Sequence, residues 1–332
     1  MKYFKIALLL LFVYGPQAKA QDMHFTQFYS SPLYLNPAFA GAGVCSRLST
    51  TYRNQWPGIT KTYQSYLFSI DHYMSQYNLG VGLLFATDVA GSGNLKTTTI
   101  NPQIAYELAI THSHVLRFGL QPGLGMRSIN YDNLVFGDQI ARGGNVPTIE
   151  NAKAGTVYFD IGAGMLFYTK AYWTGVTFNH LNTPEQSMLY DGISKLPIKY
   201  SLHGGYKYLL NEDEPDEANK KSITGALNYR GQQDFDQVDI GAYYSQNIFN
   251  LGFWYRGIPG LKAYKPGYSN NDAVAVIVGI KADKLNIGYS YDFTISKLAN
   301  SASLGSHEIS LSYQLCRLKV RKKRLVVSCP KF

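Results

Sequence analysis

The chain predicts an all-β fold, a transmembrane antiparallel β-barrel of about 14 strands with an N-terminal periplasmic lead-in. Three observations carry that expectation. Near the C-terminus, His307, Ile309, Leu311, Tyr313 and Leu315 alternate with Ser306, Glu308, Ser310, Ser312 and Gln314, so one face of an extended strand is oily and the other wet. The composition is rich in Tyr (27) and Gly (31), with charged residues at only 16%, which suits aromatic girdles and small lumen residues. The connections between alternating segments are short and long by turns, as in barrels with tight periplasmic turns and long outer loops.

The first element is MKYFKIALLLLFVYG, with Lys2 and Lys5 ahead of an apolar run and Ala18-Lys19-Ala20 behind it. This reads as a signal peptide over 1–20, too short to span a bilayer and cleaved near Ala20. With Gln21 at the cut, there is no case for a lipid anchor. Every later apolar run is broken by Gly, Asn, Asp or Lys, so any membrane span has to be built of strands.

Residues 21–46 hold an aromatic segment without a period, interrupted by Pro32 and Pro37. It is read as an ordered periplasmic lead-in or plug that packs under or into the barrel mouth. The barrel is assigned to 47–316. Its candidate strands are 47–54, 62–72, 79–87, 97–109, 115–128, 155–169 and 172–180, then 198–210, 222–231, 238–246, 249–257, 272–282, 285–293 and 306–315. Lys207, Arg230, Asp239 and Arg256 fall on the second face of their strands. A dry sandwich core would not take those charges, whereas a wet lumen would. Within the strands, Gly80-Val81-Gly82 and the GLQPGLG run 119–125 read as thin-walled positions, since no helix follows to make a nucleotide loop. The acidic stretch 211–220 is long where a short turn is due, so it is a real protrusion or a miscounted strand. An even strand count leaves both termini in the periplasm, the C-terminal one as a basic tail over 317–332.

The net charge of +9 sits at the ends of the chain: Lys2, Lys5 and Lys19 in the signal segment, and Arg317, Lys319, Arg321, Lys322, Lys323, Arg324 and Lys331 in the tail. The body between is near neutral and carries no patch of cations interleaved with aromatics, so no nucleic acid is expected as a partner. The tail is suited to an acidic partner or anionic headgroups. Three cysteines in an exported chain allow one disulfide. Cys316 with Cys329 is the candidate pair, and Cys45 with either of them is the alternative.

No catalytic, cofactor-binding or metal-binding residue is assigned. Ser306-His307-Glu308 cannot assemble a triad, because neighbours on one strand point to opposite faces. The histidines lack the spacing of a metal site, and Asp213, Glu214, Asp216 and Glu217 lack that of a calcium loop. The chain is therefore expected not to be an enzyme.

Several segments together resemble the PorP/SprF family of type IX secretion system outer-membrane proteins. They are QFYSSPLYLNPAFAG (27–41), YRNQWPGI (52–59), GVGLLFATDVAG (80–91), INYDNLVFGDQI (129–140) and the closing SYDFTISKLANSASLGSHEISLSY (290–313). The resemblance implies an outer-membrane barrel for protein secretion and gliding motility, which exports a secreted cell-surface protein or anchors an adhesin. Its implied partners are the C-terminal domain of that cargo, periplasmic machinery or a peptidoglycan-linked protein, and outer-membrane lipid. Asn36, Pro37, Trp56, Pro57, Gly305, His307 and Glu308 are expected to build an end-of-barrel structure for such partners or, as the alternative, to serve turn and plug packing. The alternative function is a passive porin or hydrophobic-solute channel, with Lys207, Arg230 and Arg256 setting selectivity.

Overall fold

The computed structural model describes residues 22–315, apart from 44, 60–62, 92, 132–133, 145, 150–151, 216–218, 259–269, 283 and 297–302. The signal segment, the basic tail, Cys316 and Cys329 lie outside the described residues. The strands are β1 (Ser46–Gln55), β2 (Tyr63–Met74), β3 (Leu79–Ala90), β4 (Leu95–Ala109) and β5 (Val115–Ser128). They continue with β6 (Gly155–Tyr168), β7 (Tyr172–Asn179), β8 (Lys199–Leu209), β9 (Lys221–Gln232) and β10 (Phe235–Gln246). Finally come β11 (Phe249–Gly257), β12 (Asn271–Ala282), β13 (Leu285–Thr294) and β14 (Ser306–Leu315).

Each strand pairs antiparallel with its sequence neighbours, and β14 returns to pair with β1, so the fourteen strands close into one barrel. Closure removes the exposed sheet edges that an open sheet would present. Two tight turns show how local chemistry sets the register. Gln233 (φ 54°) and Asn247 (φ 53°) adopt left-handed conformations in the two-residue links 233–234 and 247–248, as twisted hairpins require. The first of these lets Phe235 pair with Gln232, so β10 starts at Phe235 rather than at 238.

The alternation is inverted relative to a soluble protein. Along β5, Phe118, Leu120 and Leu124 are 46%, 61% and 49% exposed, whereas Arg117 and Gln121 are 0% and 8% exposed. Apolar side chains face outward as a lipid-exposed belt, and polar ones face the lumen. With this apolar outer face the strands are the membrane-spanning segments; no helix among the described residues is long and apolar enough to cross a membrane.

The connections 75–78, 110–114, 169–171, 210–220, 247–248 and 283–284 lie at the end where β1 begins and β14 finishes, here the short-turn end. The connections 129–154, 180–198, 258–270 and 295–305 lie at the opposite, long-loop end. The 210–220 connection joins β8 to β9, which pair in continuous register through Leu209↔Ser222, so no strand is missed between them.

Residues 22–43 fill the lumen. Phe25, Phe28, Tyr29, Leu33, Leu35 and Phe39 are all buried. Each large side chain so buried contributes roughly 1.5–3 kcal/mol. Helix α1 (Pro32–Leu35) begins with a proline whose missing N–H costs nothing in a first turn. A 3-10 turn, Pro37–Phe39, follows, with the Asn36 side chain accepting from the Ala38 N–H at its start. Phe28 and Tyr29 meet the wall aromatics Trp254 and Trp173 edge to face, at 4.9 and 5.5 Å between ring centroids. Of the two placements the sequence allowed, under the mouth or into it, the segment takes the second, and it is a plug rather than a periplasmic appendage.

The Cys316–Cys329 pairing is corrected. Cys45 is disulfide-bonded, and with three cysteines in the chain a bond between the other two would leave it no partner in the same molecule.

Candidate functional site

The candidate site is the contact between plug and wall. It is built from three polar groups spaced along the lumen, because a segment without strand pairing must satisfy its buried backbone groups by other means.

The first group lies toward the long-loop end, where Thr26 and Gln27 meet β1, β11, β13 and β14. Glu308 accepts from the backbone N–H groups of Thr26 and Gln27, both at 2.8 Å. The Thr26 hydroxyl donates to Asp292 at 2.7 Å and accepts from Arg53 and Arg256, both at 2.8 Å. Arg53 also bridges Asp292 at 2.9 Å and Glu308 at 3.1 Å. Arg256 reaches Asp292 at 3.1 Å and Asp239 at 2.9 Å, and Arg230 closes on Asp239 at 2.8 Å. Three guanidinium groups thus face three carboxylates inside a low-dielectric lumen. Such an arrangement fixes geometry more than it adds net stability, since desolvation offsets much of the attraction. His24 beside them is held well below the ordinary histidine range, first by burial and then by the Arg53, Arg256 and Arg230 charges, so it stays neutral.

The second group is at mid-lumen. The Asn36 amide donates to the carbonyls of Met165 (3.0 Å) and Val176 (3.2 Å) on adjacent strands β6 and β7 and lies 3.2 Å from His203 Nε2. The wall is thinned where the plug comes closest. A Cβ at Gly119 would lie 2.3 Å from the Ala38 nitrogen, and one at Gly164 would lie 2.1 Å from Asn36 Oδ1. The run 119–125 is therefore thin-walled, as its glycines indicated.

The third group is at the short-turn end. Arg117 Nε donates to the Ala38 carbonyl at 2.9 Å, another of its nitrogens donates to the Ala40 carbonyl, and Nη1 pairs with Glu107 at 2.7 Å. Glu107 also accepts from Tyr73 (3.0 Å) and Tyr168 (3.3 Å). Asp71 accepts from the Gly41 N–H at 2.9 Å while pairing with Arg47 at the same distance.

The plug therefore runs the full height of the barrel, and its first described residue is at the long-loop end. There Asp22 meets Lys199 and His180, both at 2.9 Å, and His180 passes its other ring nitrogen to Asp160 at 2.9 Å. Burial alone would lower the His180 pKa, but the Asp22 charge and the hydrogen bonds to Asp160 and Asp22 outweigh it and raise it to about 9. Burial likewise opposes ionisation of Asp22, yet Lys199 and His180 hold its pKa well below the carboxylate range.

The seven residues chosen from sequence do not form one structure at one end. Asn36 and Pro37 are buried at mid-lumen, and Glu308 is a buried anchor for the plug. Trp56 (φ 59°) ends β1 at the long-loop end, where its N–H donates to the carbonyl of Gly305 (φ 63°) at 2.9 Å, and Pro57 sits in the turn that follows. His307 is on the other face of β14, 2.8 Å from the Tyr289 hydroxyl. Sequence reasoning missed Thr26, Arg53, Asp292 and Arg117. The signal for the two arginines was available, since Arg53 shares the wet face of its strand with Thr51 and Ser49, and Arg117 shares its own with Gln121.

Among the described residues no group of three or more His, Cys, Asp or Glu is placed to hold a metal ion. Three solved structures are similar to the chain at low identity. The toluene transporter TodX of Pseudomonas putida is 12% identical, with 88% of this chain and 94% of that chain covered at a TM-score of 0.49. A FadL homologue of Pseudomonas aeruginosa is 12% identical over 86% of this chain and 94% of its own, at 0.45. BamA from Haemophilus ducreyi lacking POTRA domains 1–3 is 8% identical over 82% and 70%, at 0.40. No curated protein matches the chain. Residues 17–313 match the family described as type IX secretion system membrane protein PorP/SprF. That match covers most of the sequence, and the chain belongs to the PorP/SprF family of type IX secretion system membrane proteins.

Proposed function

We propose that this chain is a plugged, non-enzymatic outer-membrane barrel of the type IX secretion and gliding system, and that it exports or anchors a secreted cell-surface protein. The observation that carries the reading is the plug. Three polar groups and an aromatic core tie residues 22–43 to the wall along the whole lumen, which suits a rigid docking platform rather than a solute pore. In an outer membrane the long-loop end faces outward, so the loops 129–154, 180–198 and 258–270 are the surfaces for a cargo or adhesin C-terminal domain. Trp56, Pro57 and Gly305 lie at that same end and belong with those surfaces. The short-turn end, with the 211–220 protrusion and the basic tail, faces the periplasmic machinery or a peptidoglycan-linked partner.

In this orientation β1 begins and β14 ends on the periplasmic side, whereas Asp22 lies at the outer mouth. A chain cleaved near Ala20 therefore has its new N-terminus at the outer face.

The test is the surface and culture-medium proteome of a strain lacking the chain, beside its parent. Loss of one large surface protein supports a dedicated anchor, and retention of all type IX cargo in the cell supports a general export part. No change in either fraction would overturn both and favour the porin.

A further inference from the structure

The plug begins at the outer mouth in a charge-balanced setting. Three acidic side chains, Asp22, Asp88 and Asp160, line the space around its start together with three basic ones, Arg127, His180 and Lys199. Burial opposes the charge on His180, but Asp22 and Asp160 outweigh it, so the ring carries its second proton at neutral pH. Lys199 Nζ and His180 Nε2 both lie 2.9 Å from the same oxygen of Asp22, Oδ2. The Asp22 N–H donates to Gln232 Oε1 at 3.2 Å, and Gln232 Nε2 donates back to Asp22 Oδ1 at 3.4 Å. The first backbone group of the described plug is thus fastened to β9 beside two cations.

Cleavage after Ala20 makes Gln21 the first residue of the exported chain, one peptide unit before Asp22, or about 3.8 Å between Cα atoms. Gln21 itself lies outside the described residues. An open terminus would bring an α-ammonium close to Lys199 and His180 as an extra cation, with no further acidic side chain in that lining to meet it. Like charges at such a range repel even where water reaches them in part. Glutamine can remove this charge by its own chemistry, because its side-chain amide is placed to close a five-membered ring on the amine.

We infer that Gln21 is a modification site, cyclised to pyroglutamate in the exported chain, and that this neutral terminus is the one seated beside Asp22, Lys199 and His180. The inference rests on the cleavage site and outer-mouth terminus of the proposed function. In the reaction the α-amine nitrogen attacks Cδ of its own carboxamide. An N–Cδ bond forms, the Cδ–Nε bond breaks, and Nε leaves as ammonia with a proton from the α-nitrogen. Nothing is oxidised or reduced. The lactam keeps a ring N–H and its carbonyl oxygens, so the terminus loses its charge and stays polar.

The test takes the protein from native outer membranes, denatures and digests it with chymotrypsin, and sequences the peptide at the mature N-terminus by mass spectrometry. A heavy-isotope synthetic peptide spanning 21–25 is added before digestion and reports any cyclisation during handling. The expected peptide is 21–25, lighter than the encoded one by one ammonia, while the synthetic standard stays open. An open Gln21 with a free amine would overturn the modification and leave the reading of the plugged barrel intact. A peptide that starts at another residue would overturn the cleavage site and the modification with it. Gln21→Ala, its start confirmed by the same mapping, keeps a free amine because it cannot cyclise. Hydrogen-exchange protection of residues 23–28, taken relative to the intrinsic rate, should fall about tenfold in this variant. Selective acetylation of its α-amine should restore the protection. Protection unchanged by Gln21→Ala would overturn the seating of a neutral terminus.

Discussion

Arg53 and Glu308 are register partners across the seam where the last strand closes onto the first, and their side chains meet at 3.1 Å. The same two residues hold Thr26 of the plug, Arg53 through the hydroxyl and Glu308 through the backbone N–H. Barrel closure and plug seating therefore share the same two residues. Without β14 the Thr26 and Gln27 N–H groups lack the Glu308 carboxylate that accepts from them.

Breaking this pair on one side only is expected to be costly. Arg53→Ala leaves Glu308 and Asp292 buried beside fewer cations and should destabilise the folded barrel by about 3–5 kcal/mol. The double change Arg53→Met with Glu308→Leu removes both charges and should cost less than the single one. Denaturant titration of the three proteins by tryptophan fluorescence checks the order, and a double variant weaker than the single one contradicts it.

Close approach between plug and wall gives a steric prediction. Gly119→Val places a branched side chain where the Ala38 nitrogen now sits, so the plug has to shift at an overpacking cost of about 1–3 kcal/mol. The plug then becomes accessible to chymotrypsin at Phe25, Phe28 and Tyr29, while the barrel stays resistant. Equal protection of the plug in variant and parent would count against this seating.

The hold on the plug's outer end depends on pH with a definite sign. His180 has a folded pKa raised to about 9, so its contribution is complete below its ordinary value near 6.5 and is lost as pH rises through about 9. Its ceiling is about 3 kcal/mol. His24 acts in the opposite sense: its pKa is depressed, so stability present above about 6.5 falls as pH drops below that value. The hydrogen-exchange protection of residues 22–28, taken relative to the intrinsic rate at each pH, should be greatest near neutral pH, and His180→Gln should remove the alkaline limb alone.

The β1–β14 ladder ends at Ser46↔Leu315, one residue from Cys45 on one strand. Of the two remaining cysteines, Cys316 follows Leu315 directly in sequence and is the expected partner of Cys45, so that a disulfide staples the seam at the short-turn end. Peptide mapping without reductant should recover Cys45 linked to Cys316, with Cys329 free to react with a maleimide. A Cys45–Cys329 peptide would contradict it.

The wall was legible because each strand carries its own period. Phe118, Leu120 and Leu124 face out by the same alternation that turns Arg117 and Gln121 in, and no distant contact is needed to see it. The site was not, for a physical reason. The plug has no period, and its position is set by residues far away in sequence, as Thr26 is by Asp292 and Asn36 by Val176. Asn36, Pro37 and Glu308 stood out as motif residues, but nothing local distinguishes a side chain that ties a plug to a wall from one offered to a partner. The glycines of 119–125 came closest to giving the answer, since a strand with glycine at three of its four inward positions there implies something pressed against it.

Single-channel recording in planar bilayers tests the central claim most directly. The intact chain should show no steady open pore at neutral pH, and a protein lacking residues 22–43 should conduct. A steady, wide conductance from the intact chain would mean that the plug does not seal the lumen, and the reading as a docking platform would fail in favour of a channel.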